Sequence, residues 1–231
     1  MLGAEVRIPW AGGELPAYAA VPAGARRAVV VIHEILGRQP EIDRVVERFA
    51  AAGYAAVEPD LFAAGLRPLC IQRVIRSCAT GTGTPVDQVL AVRRWLCARA
   101  DLVPERVGII GFCLGGGFAL AVGRGWGAVS CNYGAPPPVE RMRGIAPVIA
   151  CYGGRDRAFA RLAPPLDRML SELGVEHEVH VYPTAGHSFL TDGYHPFQAW
   201  LTRPILDLRH DPVAAEDAWR RIFGFFDRHL A

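Results

Sequence analysis

Residues 107–117 read Val107-Gly108-Ile109-Ile110-Gly111-Phe112-Cys113-Leu114-Gly115-Gly116-Gly117. The β-branched run from Val107 to Ile110 predicts a short strand buried on both faces. Gly111-Phe112-Cys113-Leu114-Gly115 then fits a nucleophile elbow, a strained strand-to-helix turn, with cysteine where serine is commoner. So tight a turn needs small residues two before and two after its centre, and glycine stands at both. A helix starting just past Cys113 would aim unpaired N–H groups and the positive end of its dipole at the sulfur. That environment favours thiolate, the nucleophilic form. Glycines after a strand also cradle phosphate, but neither G-x-G-x-x-G nor Gly-Lys-Ser/Thr is present. Most buried cysteines are simply small hydrophobes; the flanking glycines set Cys113 apart.

Outward from the elbow, strand and helix patterns alternate. Glu5–Trp10 and Glu14–Val21 form two extended runs around Ala11-Gly12-Gly13, an antiparallel hairpin at a sheet edge. Ala28 to Ile32 is a continuous aliphatic run, as in a strand covered on both faces. It leads into a loop at His33-Glu34-Ile35-Leu36-Gly37. Helical spacing runs from Glu41 to Ala52 and ends at Gly53. Tyr54 to Val57 predict a strand stopped by Glu58-Pro59-Asp60. Leu69 to Cys78 is helical, Thr80 to Thr84 reads as flexible, and Pro85 opens a stronger amphipathic helix to Leu96. After the elbow helix come strands near 128–133 and 145–152, separated by the stiff Pro136-Pro137-Pro138. A helix near 166–173, a strand at 176–182 and a last helix from Pro212 complete the pattern. The irregular segment 192–211 holds Tyr194, Phe197, Trp200 and Leu201, whose large side chains read as packing against the body of the domain rather than as a pocket wall or lid.

Alternation of this kind predicts one α/β domain over 1–231: a mostly parallel central sheet, helices on both faces and an N-terminal antiparallel edge hairpin. Ligands of such sheets bind beyond the carboxyl ends of the strands. Glu34, Cys113, Asp156 and His187 all fall just after predicted strand ends, so four chemistry-bearing side chains converge on one rim. The chain order nucleophile, acid, histidine is that of the α/β-hydrolase fold. His187 titrates near neutral pH and suits proton transfer, while Asp156 would orient its ring. Taken singly, Asp156 is good turn chemistry and His187 an ordinary loop histidine; with the elbow they form a triad. Oxyanion donors would be the backbone N–H groups of Leu114 and Ile35, each worth about 3 kcal/mol by analogy with measured removals.

The chain resembles the dienelactone hydrolase family over nearly its whole length. The matching pieces are Val-Val-Val-Ile-His-Glu (29–34), Gly53-Tyr54 with Pro59-Asp60-Leu61, Gly-Phe-Cys-Leu-Gly-Gly (111–116), Tyr-Gly-Gly-Arg-Asp (152–156), Tyr-Pro-x-Ala-Gly-His-Ser-Phe (182–189) and Ala-Trp-Arg-Arg-Ile-Phe-Gly-Phe-Phe (218–226). The resemblance implies a cofactor-free Cys-His-Asp hydrolase of an ester or lactone, working through an acyl-enzyme. It gives Glu34 a part in turning thiol into thiolate as substrate binds. It places Ser188 beside substrate. In the family two arginines grip the substrate carboxylate. One falls where this chain has Thr191, and the other falls in the helical stretch where Arg73 and Arg76 stand. Losing one guanidinium weakens the expectation of an anionic substrate. Arg203 and Arg209 are candidates to replace it, although surface arginines are common. A broader carboxylesterase or thioesterase, and a non-catalytic thiol-redox protein, are the competing readings.

Composition excludes other classes. A net charge of +2 with scattered arginines argues against a nucleic-acid binder. No apolar run is long enough to span a bilayer, and no N-terminal signal pattern is seen. Six cysteines without C-x-x-C spacing read as free thiols in a reducing cytoplasm. His33-Glu34 lacks the second histidine of H-E-x-x-H, because Gly37 stands in its place, so no metal is expected.

Overall fold

The computed structural model describes residues 3–63, 65–192 and 207–231. Among these, eight strands form one sheet: β1 (Ala4–Trp10), β2 (Gly13–Ala20), β3 (Ala28–Ile32), β4 (Ala55–Pro59), β5 (Val107–Phe112), β6 (Val129–Asn132), β7 (Val148–Gly153) and β8 (His177–Tyr182). Their spatial order is β1-β2-β4-β3-β5-β6-β7-β8. β1 pairs with β2, and β2 with β4, antiparallel; all later pairings are parallel. The hairpin therefore occupies one edge, as expected. Of 192–211, residues 192 and 207–211 are described, and Tyr194, Phe197, Trp200, Leu201 and Arg203 lie outside the described residues.

Six helices surround the sheet among the described residues: α1 (Pro40–Ala51), α2 (Arg67–Thr80), α3 (Thr84–Ala100), α4 (Leu114–Val122), α5 (Ala163–Glu172) and α6 (Pro212–His229). β3 to β7 are buried along their lengths, the condition that their unbroken aliphatic runs demand when helices cover both faces. On one face α1 buries Ile42, Val45, Val46 and Phe49. The Phe49 ring meets Trp219, Phe223 and Phe226 of α6 at centroid distances of 5.9, 5.0 and 6.0 Å. On the other face α3 packs on β1, β3 and β4, and α2 packs on α3 and α4.

Two local expectations change. β4 does not stop at Val57 but continues through Glu58 to Pro59, which pairs with Ala17; proline is tolerated there because the strand ends with it. Glu58 is fully buried, and neither carboxyl oxygen has a hydrogen bond of ordinary geometry. Burial first, then the neighbouring Asp43 and Asp60, push its pKa well above the usual carboxylate range. Residues 80–84 are not a slack linker. Gly81, at φ 69°, closes α2 through a bond from its N–H to Ser77 O at 2.8 Å, and Ser77 Oγ donates to Thr82 O at 3.0 Å.

Parallel register brings the strand ends level. Ile32 lies beside Gly111, Phe112 beside Asn132 and Gly153 beside Tyr182. The segments that follow, with Glu34, Cys113, Asp156 and His187, leave the sheet on one rim.

Candidate active site

Cys113 sits at φ 53° and ψ −116°, a strained conformation for a residue with a side chain. The surroundings enforce it. A Cβ on Gly111 would lie 2.0 Å from Gly115 O, and one on Gly115 would lie 2.5 Å from Ile32 O and 2.6 Å from His33 O. The corner is also pinned: Cys113 N–H donates to Asn132 O at 3.0 Å, and Gly116 N–H donates to Cys113 O at 3.0 Å. β5 and α4 thus hold the sulfur at the helix N-terminus, where the dipole favours negative charge.

His187 Nδ1 donates to Asp156 Oδ2 at 2.5 Å, and both residues are buried. The Asp156 carboxylate is oriented from its other oxygen, which accepts the N–H groups of Ala158 at 3.1 Å and Phe159 at 3.0 Å. The loop after β8 reaches it by close backbone approach, since a Cβ on Gly153 would meet Gly186 O at 2.1 Å. Burial disfavours the imidazolium, yet hydrogen bonding to Asp156 and Cys113, with their charges, outweighs this and raises the His187 pKa to about 10. The ring lies between Tyr133 and Phe159, at centroid distances of 4.7 and 4.8 Å.

Glu34 is buried at the same rim and accepts a hydrogen bond from Ser188 Oγ at 3.1 Å. Burial pushes its carboxyl pKa up, against the pull of His187 and Ser188. His33 shapes this loop. Its Nδ1 bonds Glu34 O at 2.9 Å, and its Nε2 accepts Leu61 N–H at 3.2 Å. Desolvation lowers its pKa, in keeping with a neutral ring using both nitrogens. Tyr133, at φ 43°, buries its hydroxyl beside Glu34 and Thr191 without a hydrogen bond of ordinary geometry.

A cavity of about 370 Å³ opens at the sulfur. Ile35 and Leu114 line it next to Cys113, α2 contributes Ile75, Cys78 and Ala79, and the wall includes Pro136–Pro138 and Phe159. Neither the Leu114 nor the Ile35 N–H donates a backbone hydrogen bond among the described residues. The expected substrate contacts fare differently. Arg73 and Arg76 are exposed and are not among the cavity residues. Ser188 and Thr191 are buried and not among the cavity residues, with Thr191 Oγ1 donating to Ser188 O at 3.3 Å. Arg209 is held by Asp207 at 2.6 Å. Tyr133, Phe159 and the α2 wall escaped the sequence reading. Pro136–Pro138 registered there only as a stiff connector.

A mostly parallel sheet that opens with an antiparallel pair, and bends from β5 into α4 through a strained residue, has the architecture of an α/β-hydrolase. Solved structures share it, among them MGS-M1, an α/β-hydrolase enzyme from a Medee basin deep-sea metagenome library (TM-score 0.65, 16% identity, covering 99% of this chain and 98% of that one). The sequence pattern of the dienelactone hydrolase family matches residues 15–230, and the chain belongs to that family. The carboxymethylenebutenolidase of Rhodococcus opacus is 30% identical over 239 residues, covering 92% of this chain and 85% of the relative. A Klebsiella pneumoniae structure provisionally assigned as a dienelactone hydrolase superposes with a TM-score of 0.76 at 25% identity, covering 97% of this chain and 98% of that one. The protein is a hydrolase acting on ester or lactone bonds.

Proposed function

We propose that Cys113, His187 and Asp156 form the catalytic triad of this hydrolase and that the reaction passes through a thioester acyl-enzyme on Cys113. The buried 2.5 Å bond between His187 and Asp156 carries the reading, since a surface turn and a stray loop histidine have no reason to be brought together at the rim beside the elbow. Hydrogen bonding and charge from Asp156 and Cys113 raise the His187 pKa against its burial, which favours the imidazolium that forms when the ring takes a proton.

Sγ attacks the carbonyl carbon, and the oxygen, now negative, takes the N–H groups of Leu114 and Ile35. Collapse breaks the bond to the leaving oxygen, which receives the proton from His187 Nε2. Water then loses a proton to the same nitrogen as it attacks the thioester. The acid leaves, and the sulfur is returned as thiolate beside the imidazolium. Asp156 stays ionised throughout and keeps Nδ1–H fixed. Glu34 borders this site through Ser188 and His187, and its buried carboxyl is the group that would sense a change of charge there. Six unpaired cysteines suit a reducing compartment such as the cytoplasm, where a thiol nucleophile survives. No helix among the described residues is long and apolar enough to cross a membrane.

Assays of p-nitrophenyl acetate and a dienelactone, with wild type and Cys113→Ala, test the proposal. Hydrolysis that falls at least about a thousandfold in the variant is expected for loss of a nucleophile. Undiminished turnover by the alanine variant would refute it.

A further inference from the structure

The cavity wall speaks to what kind of ester fits, given the reading of Cys113 as nucleophile. On α2, Ile75, Cys78 and Ala79 follow the i, i+3, i+4 spacing of one helix stripe and face the cavity. Arg73 and Arg76 of the same helix are exposed and lie off that stripe. Pro136–Pro138 and Phe159 line the same cavity. None of the described lining side chains is charged, and burial pushes the one extra thiol, Cys78, up to about 12, so it too is neutral. Of the arginines near the rim, Arg155 and Arg209 pair with Asp207 at 3.0 and 2.6 Å. Ile75, 52% exposed, puts an aliphatic side chain at the mouth.

A carboxylate entering such a space would give up water without gaining a partner among these residues. An alkyl chain loses nothing and buries apolar surface. We propose that the preferred substrate is an uncharged ester whose apolar acyl chain lies against α2 and Pro136–Pro138, in place of an anionic lactone.

Two esters of matched length decide it: 4-nitrophenyl heptanoate and mono-4-nitrophenyl adipate, the second differing by a terminal carboxylate. Wild type is expected to favour the heptanoate in kcat/KM by at least about tenfold. Ile75→Arg, at an exposed position where the fold tolerates a long polar side chain, is expected to narrow that ratio at least about threefold by offering the adipate a guanidinium. Equal rates on the two esters, or a preference for the adipate, would overturn the inference. So would an unchanged ratio in Ile75→Arg, since the chain would then not lie against α2. Activity of Cys113→Ala on either ester would remove the nucleophile reading instead, a result separable from chain preference.

Discussion

At the scale of single residues, two buried ionisable groups with raised pKa values both make stability fall as pH rises, each in its own window. The His187 pKa is raised from its ordinary 6.5 to about 10, so its charge contributes stability that is complete below about pH 6.5 and vanishes as pH climbs through 10. Urea unfolding of His187→Gln against wild type is expected to show a deficit on the order of 3 kcal/mol at pH 6, shrinking to a fraction of that at pH 10. A deficit constant with pH would disprove the buried ion pair. Glu58 acts in the same direction from a lower pH, because its charged form is the one that burial penalises. Its folded pKa lies above the unfolded one, so the native state holds the proton more tightly and loses stability as pH rises from about 4.5. Glu58→Gln removes that burden. The variant should gain on wild type by roughly 1–3 kcal/mol between pH 4 and pH 8, and a gap that does not move with pH would count against a buried carboxyl.

At the scale of elements, the β5–α4 corner is the least forgiving. A methyl group on Gly115 meets the backbone oxygens of Ile32 and His33, which have no freedom to retreat. Gly115→Ala is therefore expected to lower stability by about 3 kcal/mol or more and to abolish Cys113 alkylation in whatever folds; a stable, reactive variant would contradict the described packing. This corner was fully legible in sequence because its constraint is local: two glycines around a cysteine behind an aliphatic strand. Asp156 and His187 were legible for a related reason, each sitting just past a recognisable strand. What was hidden depends on how distant loops meet. Nothing near Tyr133 or Phe159 announces that their rings flank an imidazole 54 and 28 residues away in sequence. The helical spacing of Leu69 to Cys78 does not tell Val74 from Ile75, and only the fold buries the first and turns the second toward a cavity. Glu58 next to proline looked like a strand terminator, and the ladder with β2 overrode it.

At the scale of the molecule, the C-terminal part holds the histidine loop in place. Trp219 of α6 donates from Nε1 to Leu190 O at 3.2 Å, His210 Nδ1 bonds Phe189 O at 2.8 Å, and Thr184 Oγ1 donates to Asp211 at 2.8 Å. Trp219→Ala removes the ring that packs on Phe49 and Phe223 as well as releasing that loop. A loss of about 3–5 kcal/mol in unfolding free energy is expected, together with a drop in kcat that exceeds any change in Cys113 alkylation rate. Equal loss of both would mean that α6 supports the whole rim and not the histidine in particular. The sulfur, the imidazole and the carboxylate are carried at the ends of β5, β8 and β7, whereas α2 supplies a wall of the cavity and none of the proposed catalytic groups. Appetite and reactivity are consequently inherited on different stretches of polypeptide. Descendants of this chain can acquire new diets by altering a single outer helix while the bond-breaking apparatus passes down untouched.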